Sequence, residues 1–82
     1  MNDEEWNYLE KMTEEIVSQQ RAKLLAMGRR IIPTLTSEDI LQPNDYPELE
    51  NNPTFRYEEG LLAGMQSLQI AILSLQRSLK NE

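Results

Sequence analysis

The chain has 82 residues, 14 acidic and 8 basic, for a formal charge of −6, and it contains neither cysteine nor histidine. Disulfides and the commonest zinc and iron ligands are thereby excluded, and a nucleic-acid or anionic-membrane surface is disfavoured because both need a basic face. Chains of this length hold one domain and seldom build a sufficient core alone, so a second chain is the support left open to this one.

Asn2-Asp3-Glu4-Glu5 reads as a helix start, with an Asn cap, Glu three residues later and acids in the first turn. The segment lacks the basic-then-apolar character of a secretory leader. Together with the missing cysteine, this makes the cytoplasm the expected compartment. Trp6, Leu9, Met12, Ile16, Leu24, Met27 and Ile31 then recur at helical spacing. The pattern predicts a helix over 3–32, stopped by Pro33, with Gly28 as an earlier alternative end. Gln19 and Gln20 interrupt the apolar stripe. They read as a polar spacer on a surface helix; the alternative is a buried polar contact that fixes register.

Residues 33–52 form a connector longer than bundle helices usually need. Thr36-Ser37-Glu38-Asp39 matches a capping box ahead of Ile40 and Leu41, and Asp45 is placed to cap a turn through Tyr46-Pro47-Glu48-Leu49. Ile40, Leu41, Tyr46 and Leu49 are too apolar for a free linker, so the connector is expected to fold back as a lid on the hairpin. Tyr46, Pro47, Leu49, Phe55, Arg56 and Tyr57 concentrate aromatics and an arginine, the usual anchors of interfaces. They are the candidate site for a further, unidentified protein partner. The plainer reading is that they pin the lid.

The helix predicted over 53–80 carries the strongest pattern. Asn52-Pro53 caps and starts it, and Arg77 and Lys80 suit its negative end. Leu61, Met65, Leu68, Ile72, Leu75 and Leu79 fall on one stripe, and Gly60, Gly64, Ser67, Ala71, Ser74 and Ser78 on the next. A lane of small residues lets another helix approach closely, with the large neighbours filling the space beside it. Gly60, Gly64, Met65, Ser67, Leu68, Ala71, Ile72 and Leu75 are therefore the expected self-association surface. Ile70 and Leu73 break the otherwise polar opposite face. Gln66, Gln69 and the serines interrupt any apolar run of the ~20 residues that a membrane span requires.

Acids crowd the first half of the N-terminal helix, whereas Arg21, Lys23, Arg29 and Arg30 crowd its second half. Laid antiparallel, the helices are expected to bring Glu4, Glu5 and Glu10 near Arg77 and Lys80, and Arg29 and Arg30 near Glu58 and Glu59. The expected fold is all-α: an antiparallel helical hairpin with a long, partly helical connector, dimerising into a four-helix bundle.

The sequence offers no nucleophile beside a base; Glu10 and Glu14 have metal-binding spacing on the first helix, but the second helix has no acid between Glu59 and Glu82 to complete a set. The expected function is non-enzymatic. It is a protein-protein interaction module, a small adaptor or chaperone-like subunit, that works as a homodimer without cofactor, metal, nucleic acid or membrane. The alternatives are one half of an obligate heterodimer and, more distantly, a metal-dependent helical-bundle enzyme.

Overall fold

The computed structural model describes residues 1–42 and 45–80. These form an all-α chain: α1 (Asp3–Ile31), a 3-10 turn (Asp39–Leu41), α2 (Pro47–Glu50) and α3 (Pro53–Lys80). The capping box at the start of α1 is reciprocal. The Glu5 backbone N–H donates to Asn2 Oδ1 at 2.8 Å, and the Asn2 N–H donates to Glu5 Oε1 at 3.1 Å. At α3 the Phe55 N–H donates to Asn52 Oδ1 at 2.9 Å. Each bond satisfies a backbone donor that a helix start otherwise leaves free.

Gly28 does not end α1. The helix continues to Ile31, and the Ile32 N–H closes it on Gly28 O at 2.8 Å. A Cβ at position 28 would collide with the Leu35 side chain and sit 3.5 Å from Phe55. The glycine is a slot through which the connector and α3 approach α1.

The connector folds back as a lid. Thr36 and Asp39 form the predicted box: the Thr36 N–H donates to Asp39 Oδ2 at 2.9 Å, and the Asp39 N–H to Thr36 Oγ1 at 3.2 Å. Asp45 does not cap the next turn. The cap residue of α2 is Tyr46, with no side-chain bond, and Pro47 at the first helical position supplies the fixed φ instead.

Helix α1 packs against α3 in hairpin fashion, antiparallel, since Gln20 meets Glu58 while Glu14 meets Gln69. The core is one cluster of Val17, Leu24, Leu35, Ile40, Leu49, Phe55 and Leu62, gathered toward the connector. Trp6 and Gln76 are buried toward the free ends of a body 48 Å long.

Two expectations change here. Met12 and Ile16 leave the core stripe of α1, and Val17 and Gln20 take their place. A helix covered by only one other helix buries a narrow strip, and the remaining apolar residues fall on its flank. The anticipated charge pairs of Glu4, Glu5 and Glu10 with Arg77 and Lys80, and of Arg29 and Arg30 with Glu58 and Glu59, are not formed among the described residues. The ion pairs present are Lys23–Glu58 at 2.9 Å and Arg56–Glu59 at 3.1 Å. Glu58 points inward to Gln20, and Arg29 Nε donates to Leu35 O at 2.8 Å.

Candidate interaction surface

The strip of α3 that meets α1 runs through Phe55, Glu58, Leu62, Gln69 and Gln76. Each residue turns about 100° around a helix, so the leucine stripe lies on its flank. Leu68 remains 62% exposed, Leu75 53% and Leu79 45%. On α1, Met12 is 60% exposed and Ile16 46%. These leftovers face the same way. Ile16 and Leu68 line one shallow groove together with Thr13, Val17, Met65 and Gln69. One side of the hairpin is therefore an apolar face built from both helices.

Of the predicted self-association residues, Gly60, Gly64, Ser67, Leu68, Ala71 and Leu75 are exposed, while Met65 and Ile72 are half-buried at the edge of the α1 contact. A Cβ on Gly60 or Gly64 would meet nothing within 4 Å. The small-residue lane runs along the outside of α3, and the leucines lie between it and α1. Ile70 is exposed and Leu73 half-buried.

The connector candidates divide into two groups. Leu49 and Phe55 are fully buried in the core cluster, and Tyr46 packs half-buried against it. Burial is the main cause that raises the Tyr46 phenol above its ordinary range, with the Asp39 carboxylate adding to it. Pro47, Arg56 and Tyr57 are exposed, so they are the members of the set that a partner would reach.

Gln20 is not a polar spacer on the surface but the buried polar contact given as its alternative. Its Nε2 donates to Glu58 O at 2.9 Å and to Glu58 Oε2 at 2.7 Å. Lys23 closes on the other carboxylate oxygen. Sliding α1 along α3 by one turn would strip the inward-facing Glu58 carboxylate of its Gln20 and Lys23 donors, at a cost of at least about 1–3 kcal/mol for an acceptor left unpaired away from water. The triad thus fixes register. The signal was the spacing of Gln20 with Trp6, Thr13, Val17 and Leu24, which marks the inward strip more faithfully than the Met12 and Ile16 positions do.

The hydrogen bond from Gln20, then that from Lys23, holds the Glu58 carboxyl below its ordinary value of 4.5. A carboxyl depressed in the folded state stabilises the fold above its unfolded value, and that contribution is lost as pH falls through the folded one. The melting temperature should therefore drop below about pH 4.5. Glu58→Gln should flatten this part of the acid limb in a pH series of thermal melts. An unchanged acid limb would assign the effect to other carboxylates.

Among the described residues, no three acidic side chains converge as a metal-ligand set would, and no helix is long and apolar enough to cross a membrane. The hollow along Asn7, Glu10, Lys11, Glu14 and Glu15 is an open furrow between side chains of α1. No protein-family model, curated protein or solved structure matches the chain.

Proposed function

We propose that this chain is a non-enzymatic interaction module, an adaptor or chaperone-like subunit, whose working form is a dimer of hairpins. One observation carries the reading: both helices leave large apolar side chains exposed on the same side of the hairpin. Contiguous apolar surface of this kind marks an interaction site. A small chain without disulfides gains from covering it with a second copy, because each large side chain fully buried contributes about 1.5–3 kcal/mol.

Absolute mass by light scattering across a concentration series tests this, with Leu68→Glu and Gly64→Leu beside the wild type. The wild type is expected to be a dimer. Leu68→Glu acts twice across a two-fold interface, so its dissociation constant should rise at least ~100-fold, corresponding to about 1.4 kcal/mol per copy. Gly64→Leu should leave the isolated hairpin at least as stable as before, since open space surrounds position 64 and leucine favours a helix interior over glycine, while weakening the dimer. A wild type that stays monomeric at every concentration, or a dimer indifferent to Leu68→Glu, overturns the proposal.

A further inference from the structure

The apolar face is self-complementary in one orientation, and its charges say which. Along the exposed flank of α1, Glu5, Leu9, Met12, Ile16, Gln19 and Lys23 follow at steps of four, three, four, three and four, which places them on one line of the helix. That line is acidic at one end, apolar in the middle and basic at the other. Reversed upon itself about the point midway between Met12 and Ile16, it sets Met12 against Ile16, Leu9 against Gln19 and Glu5 against Lys23. The α3 flank behaves alike. Reversed about Leu68, it sets Leu61 against Leu75 and Tyr57 against Leu79, all exposed in the single chain.

The two centres of reversal lie at one height on the hairpin, because Gln69 Nε2 donates to Glu14 Oε2 at 2.8 Å. A single two-fold axis crossing the hairpin at that height satisfies both helices. Lys23 gives one donor to Glu58 while its side chain stays 57% exposed, and its remaining N–H groups are free to meet Glu5 of another chain.

We infer that a second copy of this chain covers the face in reverse orientation, α1 against α1 and α3 against α3, so that the two connectors lie at opposite ends of the bundle. This rests on the self-association proposed above and adds its geometry. The other two-fold arrangement, with both connectors at one end, lays α1 over α3 of the second copy. It also buries the leucines, but it sets Lys23 and Glu5 of both chains opposite apolar side chains. Individual surface pairs contribute little, yet unlike charges in one orientation and desolvated charges in the other select between two otherwise similar packings. The reversed bundle presents one copy of exposed Pro47 and Arg56 at each end. A ligand of the connector is then met twice, at sites about 40 Å apart by helix rise.

The chain has no cysteine, so one introduced thiol gives one label per copy. Ser37→Cys lies on the exposed surface of the connector. In the full-length dimer, spin labels at position 37 should be separated by roughly 40 Å in a pulsed dipolar measurement, whereas both connectors at one end would give less than about 25 Å. Leu68→Cys provides a second reading. Mild oxidation should link it to its own copy in high yield, as opposed helices at 8–10 Å allow. A dimer with a short label distance and no Leu68→Cys link overturns the reversed arrangement and leaves self-association standing. A monomer in light scattering removes both.

Discussion

Phe55→Ala should cost the hairpin about 3–5 kcal/mol, the usual range for a buried aromatic truncated in a packed interior. Phe55 is fully buried at the first turn of α3, and its ring lies beside the Gly28 slot. It therefore belongs at once to α3, to the α1 contact and to the floor beneath the lid. Domains hold roughly 0.05–0.15 kcal/mol per residue, so this chain has about 4–12 kcal/mol to lose, and one substitution removes a large share. Thermal unfolding followed by helical ellipticity should show a fall of roughly 12–40 °C at 4–8 °C per kcal/mol. A fall of only a few degrees would mean that the ring is not enclosed as described.

Leu49→Ala should cost about 2–5 kcal/mol although it sits in a helix of four residues. Helix α2 is far too short to persist by its own hydrogen bonds. Leu49, with no exposed surface, is what holds it down. A connector that merely joined two helices, or waited open for a partner, would tolerate the change within about 0.5 kcal/mol, as surface positions do. Urea unfolding separates the two cases. A lower midpoint at unchanged slope reports lost packing, and a slope that also falls reports a connector already detached in the native state.

How much of this was legible in the sequence follows from the range of each signal. Caps act over three or four residues, so Asn2 and Asn52 could be read directly, and with them the start of each long helix, as could the Thr36–Asp39 box in the turn that leads into the 3-10 segment. Apolar periodicity declares which positions a helix wants covered but not by what. Met12, Ile16, Leu61 and Leu68 were visible as apolar stripes, yet whether they faced the neighbouring helix of the same chain was not. That depended on Phe55, Leu62 and Val17, which lie slightly round their helices and form the core cluster, with Phe55 beside Gly28. The Glu58 contact was obscured for the same reason, since a carboxylate looks like surface until its donors, Gln20 and Lys23, are brought to it from 38 and 35 positions away. Charge polarity indicated antiparallel helices, but long side chains near the free ends remain in water rather than pairing, as weak surface attraction permits.

The apolar interior gathered at the connector gives the hairpin the mechanics of tongs, with a stiff joint and two compliant arms. Around Leu24, Leu35, Leu49 and Phe55 the helices are locked. Farther out they are joined by Trp6 and Gln76 near the tips and by the Glu14–Gln69 hydrogen bond between. Local opening free energies in such a body decline from the global value at the joint toward zero at the tips. In the proposed dimer, a hairpin arriving on the apolar face would meet arms that can adjust their spacing while the joint stays shut. Stability is thereby concentrated at one end of the two helices, while the exposed apolar face runs on along the arms.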